Sequence, residues 1–236
     1  MRICGLNKLT LLDYPGKVAC TVFTPGCNMR CPFCQNASLV KVLPTLPAID
    51  EEEFFLFLSK RQGILDGVAI TGGEPILQPD ITQFAKKTKE MGFSIKLDTN
   101  GADPHRLREV ISSGFIDYVA MDIKNSPLKY KETCGLTYDP VPDIKESVAF
   151  IMSMADEGKI DYEFRTTAVS EFHTPGDFAE IGRWLKGARR YFIQRFEDSG
   201  DILTEGLHAP SDDDMKAFLD AVLPYIPNAQ LRGVTV

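Results

Sequence analysis

The sequence predicts an α/β fold: a partial (β/α)6 TIM-like barrel, its parallel sheet wrapped by outer helices, in one domain of residues 1–236. Three observations carry this expectation. Short apolar runs alternate with amphipathic stretches at roughly 25–30 residue spacing, the signature of successive βα units. Six full units are legible rather than eight, and no shift in composition marks a second domain. At 236 residues the chain is long enough to bury a sizeable core.

The elements follow in order. Residues 6–23 read as a hairpin, Leu6–Leu12 and Lys17–Phe23, turned at Asp13-Tyr-Pro-Gly16 by its Pro-Gly pair. Its second strand, Val18-Ala-Cys-Thr-Val-Phe23, is nearly all apolar, as a strand covered on both faces would be. A link punctuated by Pro44 and Pro47 leads to a helix opening at Asp50, with Glu53 at the N3 position of a capping box. Gly67–Thr71 is the next strand, closed by Gly72-Gly-Glu-Pro75. A helix over about 79–91 precedes the strand Phe93–Thr99, which ends in Asp98-Thr-Asn-Gly101. A helix from Asp103-Pro104 to about Ser113 leads to the strand Tyr118–Ile123 and its terminal Asp122-Ile-Lys124. A polar linker of about 125–140 precedes a helix of about 142–157. Then come the strand Tyr162–Val169, a helix over about 177–187 and the strand Tyr191–Phe196. Residues 197–236 form a closing segment: a helix over about 211–223 opening at Ser211 before three aspartates, then Leu231–Val236.

Composition narrows the function classes. A net charge of −7 argues against broad binding of nucleic-acid phosphates. No stretch approaches the roughly 18 apolar residues of a membrane span, and the N-terminus lacks a signal-peptide pattern. A reducing, cytoplasmic setting is therefore expected, in which the six cysteines are thiols or ligands rather than disulfides.

Three of those cysteines crowd into eight residues: Cys27, Cys31 and Cys34, spaced C-x3-C-x2-C. Three thiolates from one short loop can hold three corners of a [4Fe–4S] cluster, which ordinarily takes four, leaving one iron open. Structural zinc would need a fourth ligand from Cys4, Cys20 or a histidine, and zinc sites generally group cysteines as C-x2-C pairs, of which no second one exists here. Cys4, Cys20 and Cys134 read as plain thiols, and His105, His173 and His208 receive no role. The cysteine loop and the other unusual polar motifs all fall at the C-terminal ends of strands, where α/β folds gather their chemistry.

The cysteine loop, with Gly72-Gly-Glu-Pro75 after the following strand, resembles the radical S-adenosylmethionine (SAM) superfamily. Leu11-Leu-Asp-Tyr-Pro-Gly-Lys17 leading into Thr24-Pro-Gly-Cys27 is similar to the glycyl-radical-enzyme activases, nearest those of anaerobic ribonucleoside-triphosphate reductase. Asp98-Thr-Asn-Gly101 and Met121-Asp-Ile-Lys124 support the same likeness, which extends to about residue 196.

The resemblance implies a radical SAM domain whose cofactors are a [4Fe–4S] cluster on Cys27, Cys31 and Cys34 and SAM chelating the fourth iron. It further implies that Gly72, Gly73 and Glu74 approach the methionine amine and that Phe33 packs on the adenine. Asp122 and Lys124 would contact the cofactor, and Arg165 would face its carboxylate or ribose. A monovalent-cation site at Asp98, Thr99 and Asp122 is also implied. The histidine of activases on the sixth strand has no match; Gln194, Arg195 or Phe196 stands near its place. No catalytic side chain beyond these ligands is expected.

The implied activity is reductive cleavage of SAM to a 5′-deoxyadenosyl radical. That radical would generate a glycyl radical on a partner, anaerobic ribonucleotide reductase. The electron would come from an external donor such as flavodoxin or ferredoxin. The rival is a small-molecule radical enzyme, such as a 7-carboxy-7-deazaguanine synthase-like protein. After Cys34 only Cys134 remains, so neither reading includes an auxiliary cluster.

Overall fold

A computed structural model describes residues 1–233. Among the described residues eight strands form one sheet in strict sequence order: β1 (Gly5–Thr10), β2 (Ala19–Thr24), β3 (Gly67–Gly72), β4 (Ser94–Thr99), β5 (Tyr118–Asp122), β6 (Asp161–Ala168), β7 (Tyr191–Arg195) and β8 (Gln230–Arg232). The first pair is antiparallel, as the hairpin expectation required, and every later pair is parallel. Sequential order with right-handed crossovers puts the helices on one face and leaves the other as a lumen. This is the partial barrel expected from the βα alternation. Residues 234–236 of the last expected strand lie outside the described residues.

The helices are α1 (Ala37–Val40), α2 (Glu51–Ser59), α3 (Ile81–Glu90), α4 (Pro104–Ser112), α5 (Tyr130–Thr133), α6 (Val141–Asp156), α7 (Pro175–Trp184) and α8 (Asp212–Val222). Their starts follow local chemistry. Ser211 caps α8 and Thr174 caps α7, each in a reciprocal box with the aspartate three residues on. Asp103 accepts the Arg106 N–H ahead of Pro104 at the head of α4. At α2, Asp50 accepts from Glu52 N, so the expected box with Glu53 does not form and the acidic first turn meets the helix dipole instead. The expected helix from residue 79 starts at Ile81; Pro75–Leu77 ahead of it is a 3-10 turn. The polar linker of 125–140 carries α5, which buries Tyr130 and Cys134. None of these helices is long and apolar enough to cross a membrane among the described residues.

Period-two alternation sorts the strand residues. Ile95, Leu97, Val119, Met121 and Phe164 face the helices and are fully buried in the main core, where Phe54 of α2 meets Phe84 of α3 at 5.2 Å between ring centroids. The other face carries Lys96 and Asp98 on β4, Ala120 and Asp122 on β5, and Glu163 and Arg165 on β6. The lumen is therefore a column of charge. Tyr14, from the turn after β1, is buried beneath the N-terminal end of this column and packs on Tyr118 at 5.8 Å. The Asp-Tyr-Pro-Gly segment thus plugs the barrel floor, at the end opposite the cysteine loop.

Candidate active site

Register decides which motifs meet. Thr24 pairs with Gly72 across β2 and β3, so the cysteine loop and the Gly-Gly-Glu-Pro loop leave the sheet side by side. Asp122 lies directly opposite Arg165 across β5 and β6. Cys27, Cys31, Phe33, Cys34, Gly72–Glu74, Asp98, Asp122, Lys124 and Arg165 all line one cavity of about 400 Å³ at the C-terminal strand ends. That volume suits a small-molecule ligand.

The two glycines are required by the backbone packed around them. A Cβ on Gly73 would come within 2.7 Å of the Gly26 carbonyl carbon, and one on Gly72, at φ +120°, would collide with the Thr24 backbone. Gly73 N donates to Thr24 O at 2.8 Å and Glu74 N to Gly26 O at 2.7 Å. The glycines let this loop clip onto the backbone that carries Cys27. Glu74 is likewise no free carboxylate: it is buried, and its oxygens accept from the Thr99 hydroxyl and the Asn100 N–H.

The cysteines present their sulfurs to donors. Met29 N–H donates to Cys27 Sγ at 3.4 Å, and Asn100 Nδ2 approaches the same sulfur at 3.8 Å while donating to Asn28. Cys134, expected to be a plain thiol, is buried beside Cys31, and the two thiols act on each other's titration. The neighbouring Cys134 draws the Cys31 thiol below its ordinary value, whereas burial pushes Cys27 up to about 11. Among the described residues no three His, Cys, Asp or Glu side chains converge as ligands of a single ion would. A cluster takes each cysteine on a different iron, so three thiols spread along one cavity wall fit it.

The charged wall is tightly paired. Arg165 Nε donates to Asp122 Oδ1 at 3.0 Å and the guanidinium reaches Asp98 Oδ2 at 3.4 Å. Lys124 Nζ donates to Asp122 Oδ2 at 2.9 Å, and Lys96 Nζ donates to Asp98 Oδ1. Although burial opposes ionisation, Arg165 and Lys124 hold Asp122 far below the usual carboxylate range. Thr99, the third residue of the expected cation site, donates its hydroxyl hydrogen to Glu74.

Two contributors were missed from sequence. His173, buried, makes a 2.9 Å hydrogen bond from Nε2 to the Lys124 carbonyl, with the Val169 N–H directed at Nδ1. It fixes the backbone beneath Lys124, and no sequence spacing signals that contact. The segment after β7 crosses the cysteine loop: Gln35 Nε2 donates to Glu197 O at 2.7 Å, Ser38 Oγ to Asp201 at 2.6 Å, and Thr204 N to Pro32 O at 3.0 Å. Phe33, 3% exposed, packs on Phe172 at 5.6 Å and lines the same cavity.

The sequence profile described as the radical SAM superfamily matches residues 21–157, the stretch from β2 through α6. A Methanocaldococcus jannaschii protein named "Putative glycyl-radical enzyme activating enzyme MJ1227" is 33% identical over 98% of this chain and 96% of its own. The Clostridium pasteurianum pyruvate formate-lyase-activating enzyme is 30% identical over 52% of each chain. The fold is similar to that of Streptococcus suis SuiB bound to S-adenosylmethionine, with a TM-score of 0.66, 14% identity, and 90% of this chain and 52% of that one covered. With the cysteine loop, the strand-end cavity and the barrel order all in agreement, the chain belongs to the radical SAM superfamily.

Proposed function

We propose that the protein is a glycyl-radical-enzyme activase acting on anaerobic ribonucleotide reductase in the cytoplasm. The observation that carries this reading is one cavity holding both the three-cysteine loop and the Asp122–Arg165–Lys124 array, in a chain that matches a protein named for such activation along nearly its whole length. When bound, the cluster would pass one electron from an external donor to SAM, whose cleavage to methionine would free a 5′-deoxyadenosyl radical able to take a hydrogen atom from a glycine Cα.

The chain's residues bind and shield. Cys27, Cys31 and Cys34 hold the cluster, with Met29 N–H and Asn100 steadying the first sulfur. Lys124 and Arg165 receive the carboxylate of SAM, their positive charge kept by Asp122 and Asp98. The Gly72–Gly73 backbone faces the amine, and Phe33 supplies an apolar wall for the adenine. The strap of residues 197–205 helps to keep water from the loop. The electron arrives from a flavodoxin- or ferredoxin-type donor.

Anaerobically reconstituted protein with dithionite should release 5′-deoxyadenosine from SAM, and Cys31→Ala should abolish the release. Unchanged cleavage by that variant would sink the cluster assignment. Electron spin resonance of a mixture with the cognate reductase should show a glycyl doublet. Absence of a doublet with every glycyl radical enzyme tried would favour the small-molecule reading.

A further inference from the structure

The likeness to activases implies a monovalent cation at Asp98, Thr99 and Asp122, and the residues present do not fit one. All four carboxylate oxygens are already taken by protein cations. Asp98 Oδ1 holds Lys96 Nζ and Oδ2 faces Arg165. Asp122 Oδ1 holds Arg165 and Oδ2 holds Lys124. The Thr99 hydroxyl donates to Glu74 and accepts from Gly101 N at 3.1 Å. An alkali metal ion would have to share these carboxylate oxygens with the protein cations that already hold them.

Lys96 is the unusual member. It is 1% exposed in the barrel interior, where lysine is rare and an apolar side chain would ordinarily fill the space. Burying an ammonium is costly unless a fixed partner takes the charge. Asp98, two residues on along the same face of β4, takes it. Lys96, Lys124 and Arg165 then stand against Asp98 and Asp122, three positive charges against two negative. An added sodium or potassium ion would place a further positive charge beside these three cations.

We propose that Lys96 is this chain's built-in monovalent cation, a positioning residue whose ammonium holds Asp98 and Arg165 in place so that SAM binding requires no added alkali metal ion. The inference rests on the SAM-binding reading of the same cavity.

Its test is equilibrium binding of SAM to iron-loaded protein with either potassium or tetramethylammonium as the sole monovalent cation, at equal ionic strength. The wild type should bind within about twofold in both salts, since its cation is internal. Lys96→Ala should bind roughly tenfold or more weakly in tetramethylammonium, and potassium or ammonium should restore it by entering the vacated space. Lys96→Met, whose chain fills that space, should stay weak in both salts. Thermal unfolding gives a second readout: potassium should raise the melting temperature of Lys96→Ala and leave the wild type unmoved. Wild-type affinity that falls more than about threefold without potassium overturns the inference. So does a Lys96→Ala defect that neither cation repairs. If the iron-loaded wild type binds no SAM in either salt, the cofactor reading fails, and a wild-type melting temperature that depends on potassium would separately sink the role of Lys96.

Discussion

Glu74 accepts the backbone N–H of Asn100 at 2.6 Å on one carboxylate oxygen and the Thr99 hydroxyl at 2.8 Å on the other. This pair of bonds ties the loop after β3 to the loop after β4. The same Asn100 reaches back to Asn28 and the Cys27 sulfur. Three strand-end loops are thereby joined through one buried carboxylate.

Burial pushes the Glu74 carboxyl up to about 7, above its ordinary 4.5, despite the donors that favour the charged form. An acid raised in the folded state contributes stability that is full below about 4.5 and lost as pH rises through about 7. Glu74→Gln removes this dependence. Denaturant unfolding across that window should show the wild type losing at most about 3 kcal/mol relative to the variant. A stability gap that stays flat with pH would refute the assignment.

Gly73→Ala tests the clip between the two loops. The new methyl would overlap the Gly26 carbonyl, so the backbone carrying Cys27 must shift. A stability loss of about 2 kcal/mol and poor iron uptake on reconstitution are expected. Gly176→Ala is the control, because its nearest neighbour would lie at an ordinary 3.6 Å. Equal iron loading in both variants would show that the close approach is dispensable.

Cys134→Ala removes the thiol beside Cys31 and leaves Cys27, Cys31 and Cys34 in place. Hydrogen bonds to ligating sulfur favour the reduced, more negative cluster. The variant should load iron normally and show a reduction potential lower by some tens of millivolts in an anaerobic redox titration. An unchanged potential would mean that the thiol only fills space.

The barrel and its strand-end motifs were legible because they rest on local patterns. Buried strands such as Val68–Ile70 are continuous apolar runs, and the caps at Asp103, Ser211 and Asp50 are short-range chemistry. What the pattern could not give is contact between residues distant in sequence. His173 lies 49 residues from Lys124, and Gln35 lies 162 residues from Glu197. The Asp-Tyr-Pro-Gly turn shows the converse limit. It helps to mark the likeness to activases, yet Tyr14 plugs the floor of the barrel, far from the cysteines it accompanies in sequence. Lys96 was hidden for a simpler reason: one lysine in a strand reads as a solvent-facing residue until register turns it inward.

The strap over the cysteine loop yields the last prediction. Asp201 accepts from the Ser38 N–H at 3.0 Å and from its hydroxyl at 2.6 Å, while its carbonyl takes the Ala37 N–H at 3.2 Å. These bonds hold the start of α1, which follows Cys34 directly and whose Leu39 and Val40 carbonyls accept from the Gly26 and Cys27 N–H groups. Asp201→Ala removes the side-chain bonds and keeps the backbone one. Because the site is exposed, the global cost should be only about 1 kcal/mol. The local effect should be larger, since loops open below the global unfolding energy. Limited proteolysis should cut faster within residues 197–205, and a chelator should strip iron faster from the variant than from the wild type. Faster cleavage with unchanged iron loss would confine the strap to chain ordering and remove it from protection of the cysteine loop.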